Sequence, residues 1–435
     1  MDTIVFNFYR FILLPLLYAL ARVLSLLNSL LNLRSKLFEN IRFRLKNEFH
    51  YRPTFNPDHR SIGVHAASGE IEYAYPIIRK IKETYPGHNI VVTLSSTSVL
   101  KAVMNQPDVD AVGPAPIDLF WLVNRFLKKF NFKIFLFART DVWPEISLQL
   151  KQRGTPTYLF SATFSESSAH KGHLLNSLTC TSLNNLNKIM TVTDADKKNF
   201  EFIGVKIPIL TMGDTRYDQV FFKKQNTKKD LPKLVTGKKV FVAGSTWPED
   251  EAVLLPAFAK LKSTWNLVIA PHELNDATLA RIEDFCINNN LKSTRFSKLK
   301  NLTENERAQW DVLIVDQYGF LFHLYSWAHL TFVGGSFKSK VHSVMEPLSF
   351  FKPVCVGPFH TNNREAIEFS HIPMPGLIST WVQPLKDSAQ LELFLETHSK
   401  ITDSERALLT VSLTTLMSDR QNSTLSTFNE IQVPN

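Results

Sequence analysis

One carboxylate stands where an α/β protein would bind a ligand. Residues 61–70, SIGVHAASGE, predict a short buried strand, a turn of small residues and a helix that begins near Glu70. Open α/β sheets bind ligands at such turns, beyond the carboxyl ends of their strands. A carboxylate in the first turn of a helix stays ionised. Taken alone, the segment is explained more simply by Ser68 capping the helix and Glu70 complementing its dipole.

Three more clusters of polar residues follow predicted strands: RTDVWPE, then GSTWPE, then GGS with His342 and Glu346 behind it. In the last two clusters a glycine lets the backbone approach a ligand, and N–H groups at a helix start bind phosphate. Their candidate ligand-binding residues are Gly244, Ser245, Thr246, Gly334, Gly335 and Ser336. Each cluster alone is also typical of a plain β–α turn with a capping Ser or Thr. The presence of four such clusters in one chain favours a ligand-binding site.

The elements that would position these clusters alternate between short β-rich runs and helical patterns. Such alternation predicts two α/β domains with parallel sheets and a ligand cleft between them. No G-x-G-x-x-G follows the first strand and no P-loop motif occurs, so the nucleotide-binding interpretations that need them lose their main support. The expected strands are 61–66, 89–94, 132–137, 155–160, 188–192, 207–211, 239–243, 266–270, 311–315, 330–333 and 353–356. The expected parts are an N-terminal anchor with a basic flank (1–50), a first domain (51–218), a linker (219–237) and a second domain with a helical tail (238–435).

Residues 4–33 are strongly apolar. Arg10 and Arg22 interrupt them, so fewer than about 18 uncharged apolar residues stand together, short of a clear spanning helix. Basic residues dominate the segment that follows, and basic flanks favour the cytoplasmic leaflet whether the helix spans or lies in the interface. We expect an N-terminal membrane anchor with the body of the protein in the cytoplasm. The alternative is an amphipathic helix packed on that body.

The composition is that of a folded protein of two or three domains, with 44% hydrophobic and 20% charged residues in 435. The net charge of +9 suits an anionic partner such as a nucleotide sugar or an acidic membrane surface. The basic excess lies near the anchor and linker and no nucleic-acid-binding module is recognised, so we expect no nucleic-acid partner. Cys180, Cys286 and Cys355 fit neither a disulfide framework nor a zinc site and indicate buried thiols in a reducing compartment.

Taken together, the motifs resemble the 3-deoxy-D-manno-oct-2-ulosonic acid (Kdo) transferases of lipid A assembly. The resemblance rests on the order and spacing of VHAASGE, RTDVWPE, LFSATFSESS, VAGSTWPEDE, LIVDQYGFL, FVGGS with HSVMEP, and VGPFHTNN. It runs from the anchor to about residue 370 and implies two Rossmann-like domains of the GT-B glycosyltransferase type. It also implies that Kdo moves from CMP-Kdo to the 6′ hydroxyl of a lipid A precursor, with inversion and without a metal or cofactor. The resemblance further implies that this reaction is a step of lipopolysaccharide biosynthesis and takes place at the cytoplasmic leaflet of the inner membrane.

The resemblance also implies roles for single residues. Glu70 would be the general base, Asp141 would stabilise the transition state and Arg216 would neutralise charge on the departing phosphate. Glu346 would hold the ribose hydroxyls. The remaining residues expected at the substrate and CMP sites are Ser68, Gly69, Gly244, Ser245, Thr246, Pro271, His272, Tyr318, Gly319, Phe320, Gly334, Gly335, Ser336, His342, Ser343 and Asn362.

Several positions depart from the family pattern. The family's Ser-x-Gly-Glu is one residue shorter here, Asp141 is one methylene shorter than the usual Glu, and Arg216 replaces a Lys. The nucleotide-binding Arg beside Pro271 and His272 is absent. These departures motivate a second hypothesis, a catalytically altered or silent relative that binds lipid or nucleotide. A third hypothesis is a nucleotide-sugar epimerase of the same fold, which needs no lipid.

Overall fold

A computed structural model gives the architecture of the chain. It describes residues 2–31, 36–169, 173–226, 231–232, 236–301, 303, 306 and 309–434. The chain divides into two compact units, one formed by Met1–Gln219 with Arg420–Asn435 and the other by Val220–Asp419. Each unit has helices around a mostly parallel sheet, as the alternating sequence pattern predicts.

The sheet of the first unit contains eight strands among the described residues. They are β1 (His50–Tyr51), β2 (Ser61–Ala66), β3 (Asn89–Leu94), β4 (Ala111–Pro114), β5 (Phe132–Ala138), β6 (Thr157–Ala162), β7 (Lys188–Thr191) and β8 (Ile209–Thr211). Their spatial order is β1-β4-β3-β2-β5-β6-β7-β8, with β1 antiparallel to β4 and the other pairs parallel. All six residues of β2 are buried. The turn that follows β2 therefore opens at the middle of the sheet's carboxyl edge.

Helices of the first unit cover the sheet with apolar faces. In one of them, Ile71–Thr84, buried residues recur at the three- and four-residue spacing of a helical stripe, as at Ala74, Ile77, Ile78 and Ile81. The helices are α1 (Asp2–Phe8), α2 (Leu14–Leu31), α3 (Lys36–Lys46), α4 (Ile71–Thr84), α5 (Leu100–Met104), α6 (Phe120–Phe130), α7 (Pro144–Gln152), α8 (Glu166–Ala169), α9 (His173–Leu183), α10 (Asp194–Phe202) and α11 (Thr215–Asn226), the last of which begins in this unit and continues past Gln219 into the second.

The predicted apolar N-terminal helix is present. A π-helical segment, Tyr9–Leu13, joins α1 to α2, and within this path Ile4–Leu26 is long and apolar enough to cross a membrane. One face packs on the first unit, where Tyr9 and Leu14 form an apolar cluster with Leu119. Large apolar side chains are exposed elsewhere along the helix: Ile4, Phe8, Phe11, Ile12, Leu13, Leu16, Leu17, Leu20, Val23 and Leu26.

The second unit has a seven-stranded sheet among its described residues. Its strands are β9 (Lys239–Thr246), β10 (Trp265–Pro271), β11 (Ser293–Arg295), β12 (Val312–Ile314), β13 (Leu330–Val333), β14 (Val354–Val356) and β15 (Val382–Pro384). They are parallel, in the order β11-β12-β10-β9-β13-β14-β15. The helices are α12 (Pro248–Lys260), α13 (Asp276–Asn288), α14 (Leu321–Leu324), α15 (Met345–Ser349), α16 (Arg364–Ser370), α17 (Ser388–Ser399) and α18 (Asp403–Ser418), with 3₁₀ turns at Phe296–Asn301 and Tyr325–Trp327.

The C-terminal end corrects the predicted domain boundaries. A last helix, α19 (Ser423–Asn429), belongs to the first unit, although the sequence pattern assigned it to the second. Asp218 ties it there, because its carboxylate accepts hydrogen bonds from the backbone N–H groups of Asn422 (2.9 Å) and Thr424 (2.8 Å). The first part of the predicted linker is helical, since α11 runs to Asn226. Residues 227–230 and 233–235 of that linker lie outside the described residues.

Candidate functional site

Glu70 lies directly before α4, at the carboxyl end of β2. Its Oε2 accepts a hydrogen bond from the backbone N–H of Ala67 (3.1 Å), so the carboxylate folds back over the turn. Burial raises the pKa of Glu70, and the nearby Asp141 raises it further. The Ala67 N–H, Arg139 and His65 partly offset this. The sequence suggested a carboxylate held ionised by the helix, whereas the structure gives one whose proton affinity is increased, which strengthens it as a base.

Asp141 follows β5 and is held by two side chains from neighbouring strands. Its Oδ2 lies 2.9 Å from Nε2 of His65 and accepts a hydrogen bond from Oγ of Ser95 (2.9 Å). Nδ1 of His65 in turn lies 2.9 Å from Oγ1 of Thr93. Burial alone would raise the pKa of Asp141, but the hydrogen bond and charge of His65 and the hydrogen bond of Ser95 lower it to about 2. Asp141 is therefore a fixed negative charge beside Glu70; we call His65, Glu70 and Asp141 the carboxylate cluster.

Arg216, at the start of α11, meets a second arginine around one aromatic ring. Nη1 of Arg216 donates to the hydroxyl of Tyr73 (3.0 Å), and the Arg139 guanidinium lies 4.2 Å from the centre of the same ring. Arg139 also forms an ion pair with Asp214 (3.5 Å). Tyr73, in the first turn of α4, thus contacts two cations. Arg139 is close enough to Glu70 to lower the pKa of that carboxylate, so the two cations lie near the carboxylate cluster.

The turn between β2 and α4 contains the other two residues predicted in this unit. Oγ of Ser68 lies 2.7 Å from Oγ of Ser98, and the carbonyl of Ser68 accepts a hydrogen bond from Ile71 N–H (3.1 Å). Gly69 is exposed, and a Cβ there would meet no atom within 4 Å. Ser68 orders the turn, while nothing around Gly69 demands a glycine for packing.

In the second unit, β9 and β13 end side by side. Gly334 N–H donates to the carbonyl of Gly244 (2.8 Å), and a Cβ on Gly334 would stand 2.2 Å from the carbonyl oxygen of Ser245. Ser245 adopts a left-handed backbone (φ 54°), and the hydroxyl of Thr246 donates to Glu251 (3.0 Å). The glycine at 334 is thus required by close backbone approach.

The turn after β13 is held from below by Asp250. Its carboxylate accepts hydrogen bonds from the N–H groups of Gly335 (2.7 Å), Phe337 (2.9 Å) and Trp247 (2.9 Å). The hydroxyl of Ser336 donates to the carbonyl of Val333 (2.9 Å). The backbone N–H groups of Gly335 and Phe337 therefore already have an acceptor. The residues that were expected to bind phosphate instead hold the turn in shape.

Three rings stack beside this turn. His272 follows β10 and lies 4.7 Å from the ring of Trp247 and 4.5 Å from that of His342, at interplanar angles of 26° and 19°. Indole Nε1 of Trp247 donates to Nε2 of His342 (3.2 Å). The Lys338 ammonium lies 3.3 Å from the centre of the Trp247 ring. These four side chains, which we call the aromatic stack, bring together two predicted residues and two that the sequence analysis did not single out.

The other residues predicted in this unit surround the stack or lie along nearby loops. Pro271 ends β10, and His272 N–H donates to Thr246 (2.9 Å). The hydroxyl of the exposed Tyr318 accepts from Leu274 N–H (3.1 Å) in the loop after His272. Asn362 is bonded to the backbone of Val341, next to His342. The remaining predicted residues are Gly319 with a left-handed backbone (φ 83°), Phe320 before α14, Ser343 in the loop after His342, and Glu346 in α15.

Residues that the sequence analysis missed fall into two kinds. Ser95 and Tyr73 contact predicted residues directly. Their positions in the sequence could have pointed to the site, because Ser95 follows β3 as Glu70 follows β2, and Tyr73 lies one helical turn beyond Glu70. Asp250 acts only through backbone amides, for which the sequence has no separate signal.

The chain is similar in sequence to known proteins. Residues 41–219 match the family described as 3-deoxy-D-manno-octulosonic-acid transferase (kdotransferase). A 3-deoxy-D-manno-octulosonic acid transferase of Rickettsia felis is 28% identical over 314 residues, and a bifunctional glycosyltransferase/methyltransferase of Fusobacterium nucleatum is 25% identical over 313 residues. Each match covers 70% of this chain. The chain spans 65% of the length of the first relative and 48% of the second.

A solved structure agrees in fold. The crystal structure of a glycosyltransferase from Rickettsia africae superposes with a TM-score of 0.52 at 13% identity, over 86% of this chain and 97% of that one. The likeness establishes the GT-B type of fold that the resemblance implied. Residues 41–219 therefore carry a 3-deoxy-D-manno-octulosonic-acid transferase domain, and the chain is similar to the two curated relatives at 25–28% identity.

Proposed function

We propose that this chain is a glycosyltransferase that moves Kdo, or a related acidic sugar, from CMP-Kdo to a lipid A precursor in lipopolysaccharide biosynthesis. The observation that carries the proposal is the carboxylate cluster. A partly buried Glu70 with a raised pKa lies at the carboxyl edge of the sheet, beside an Asp141 held ionised by His65. The names of the family and of the Rickettsia felis relative supply the sugar.

In the proposed reaction Glu70 takes the proton of the acceptor hydroxyl as that oxygen attacks the anomeric carbon of Kdo. The bond from that carbon to the CMP phosphate breaks, and attack from the opposite face inverts the configuration. Asp141 remains ionised and favours positive charge that develops on the sugar. Arg216 supplies positive charge for the departing phosphate, and its hydrogen bond to Tyr73 fixes where that charge lies. The mechanism requires no metal.

The second unit would bind the CMP part of the donor at the carboxyl ends of β9, β10 and β13. Open α/β sheets bind nucleotides at this edge. His272 and His342 offer ring faces and nitrogen atoms there, and Lys338 adds a cation. The family's Arg is absent at this site, and Gly335 and Phe337 already donate to Asp250, so side chains replace backbone amides as the proposed contacts.

The acceptor is an amphiphile, and the N-terminal helix offers a way to reach it. Arg10 pairs with the buried Glu145 (Nε to Oε2, 2.7 Å) and the Tyr9 hydroxyl donates to Asp118 (2.9 Å), which holds the helix along the first unit. The apolar residues exposed on the helix then suit insertion into the interface of the inner membrane's cytoplasmic leaflet. We propose an in-plane anchor, because a spanning helix would draw Arg10 into hydrocarbon and away from Glu145.

The test uses the purified full chain in detergent with CMP-Kdo and tetraacyl lipid A precursor. We expect CMP release together with a lipid whose mass has grown by one or more Kdo residues, unchanged by EDTA. CMP binding without transfer would favour the silent relative. Sugar-nucleotide conversion without lipid would favour the epimerase.

A further inference from the structure

The contact between Trp247 and His342 determines where the imidazole carries its proton. Indole Nε1–H is a donor only, so Nε2 of His342, 3.2 Å away, must be the acceptor. An imidazole with a lone pair on Nε2 is neutral and carries its hydrogen on Nδ1. The hydrogen bond thus selects one of the two neutral tautomers and excludes the charged form.

The surroundings of His342 favour the same state. Burial, together with the charges of His272 and Lys340, lowers the pKa of His342 to about 4. Lys338, above the Trp247 ring, adds positive charge on the far side of the hydrogen bond. The Asp250 carboxylate is bound to the backbone N–H of Trp247, not to its indole. The N–H groups of Gly335 and Phe337 also donate to this carboxylate, so its negative charge is already stabilised by three hydrogen bonds.

The ring of His342 is also fixed in position. Its backbone N–H donates to the Gly334 carbonyl (3.1 Å), and its Cδ2 would lie 3.1 Å from a Cβ on Gly335. His272 covers one face of the ring. Among the described residues no group bonds to Nδ1, and the side chain is half-buried. A fixed N–H therefore stands ready at the edge of the glycine turn.

We propose that Trp247 is a positioning residue of the nucleotide site: its indole N–H holds His342 in the tautomer whose Nδ1–H donates to an anionic oxygen of the bound nucleotide. The inference rests on the proposed function, because it takes this edge of the second unit as the donor site. Trp247 acts through His342. A neutral N–H donor of this kind suits a phosphate oxygen at neutral pH without adding a charge that the neighbouring lysines would oppose.

The test measures the tautomer of His342 and the binding of CMP in two separate experiments. Full-length protein labelled with ¹⁵N-histidine reports which ring nitrogen of His342 is protonated, with His342→Gln used to assign the signal. CMP titration by calorimetry gives the affinity. Trp247→Phe keeps an aromatic ring in the stack and removes the N–H together with the rest of the indole's five-membered ring. Trp327→Phe is the matched control, because that indole lies in the same unit, packs against an apolar cluster that includes Phe296, and makes no hydrogen bond through Nε1 to another described residue.

We expect wild-type His342 to be protonated on Nδ1, and Trp247→Phe to mix the tautomers and weaken CMP binding about 3- to 10-fold, as the loss of one hydrogen bond predicts. Trp327→Phe should change neither. Protonation on Nε2 in the wild type, an unchanged tautomer in Trp247→Phe, or a changed tautomer with unchanged CMP affinity would each overturn the inference. Failure of the wild type to bind CMP would instead contradict the proposed function and, with it, the ligand assigned to Nδ1. Thermal unfolding of both variants shows whether the fold is kept.

Discussion

Nε2 of His65 lies 2.9 Å from Oδ2 of Asp141, on the edge of the sheet where Glu70 also stands. Because Asp141 is ionised, with a pKa lowered to about 2, Nε2 of His65 is the donor. The pair keeps a negative charge permanently beside Glu70, and that charge helps to raise the pKa of Glu70. The basicity of Glu70, which follows β2, therefore depends on Asp141, which follows β5, three strands later in the sequence.

Replacing His65 should destabilise the first unit. In His65→Phe, Oδ2 of Asp141 loses one of its two side-chain donors and keeps only Ser95 among the described residues, so we expect the free energy of unfolding to fall by about 1–3 kcal/mol. His65→Gln can still donate from its amide and should lose less. Urea unfolding, followed by circular dichroism, measures both. His59→Gln, at an exposed position, is the control. Equal stability of His65→Phe and His59→Gln would show that the pair contributes nothing to folding.

The pH dependence of transfer should report the environment of Glu70. A base must be deprotonated, so a raised pKa places the acid limb of kcat/KM above the ordinary pH range of a glutamate. Removing the charge in Asp141→Asn should move that limb to lower pH. Arg139→Gln should move it to higher pH, because Arg139 lowers the pKa of Glu70.

The direction in which the acid limb of kcat/KM shifts can be measured for each variant even where its rate is lower than that of the wild type. Arg139→Lys, which keeps the charge, is the control for the second variant and should leave the limb near its wild-type position. Shifts of the same sign in Asp141→Asn and Arg139→Gln would mean that Glu70 does not set the limb.

The Arg10–Glu145 pair should hold the N-terminal helix to the first unit. The Glu145 side chain is fully buried, so Arg10→Ala leaves a buried charge whose one remaining side-chain donor among the described residues is Gln149. We expect the free energy of unfolding to fall by up to about 3–5 kcal/mol. Adding Glu145→Gln to Arg10→Ala should restore much of that loss. Arg22→Ala, exposed on the same helix, is the matched control. Thermal unfolding in detergent measures all three. A double variant no more stable than Arg10→Ala would argue against the pair.

Gly334 should tolerate no side chain. A Cβ would stand 2.2 Å from the Ser245 carbonyl oxygen, so Gly334→Ala must push apart the ends of β9 and β13, at a cost of about 1–3 kcal/mol or more. We expect weaker CMP binding together with lower thermal stability. Gly87→Ala is the control, because a Cβ at Gly87 meets nothing within 4 Å. Normal stability and CMP affinity in Gly334→Ala would contradict the close approach.

The central strands could be predicted from sequence because both of their faces are buried. The run at 61–66 is β2 to the residue, and 89–94 is β3. Four of the described strands were missed: β1, β4, β11 and β15. His50–Tyr51 is two residues long, Ala111–Pro114 contains Gly and Pro, and the other two are three residues each. The return of α19 to the first unit depends on long-range contacts of Asp218 that no local pattern reports.

The candidate site was predictable in its residue types and less so in its contacts. Glu70 and Asp141 stand at strand ends, which the alternating pattern locates. The partners of the glycine turn were not predictable, because Asp250 reaches it from the start of α12 across 85 residues of sequence. The position of Trp247 within the aromatic stack likewise depends on three strand ends meeting at one edge.

The most direct test of the account is the rate of Kdo transfer by Glu70→Gln, compared with the wild type and with Glu83→Gln. Glu83 lies on α4, the helix that Glu70 directly precedes, with a side chain 66% exposed, so its variant controls for the substitution itself. We predict that Glu70→Gln folds normally, binds CMP as the wild type does and transfers about 10²- to 10⁴-fold more slowly, while Glu83→Gln transfers at the wild-type rate. Transfer by Glu70→Gln at a rate near that of the wild type would contradict the account.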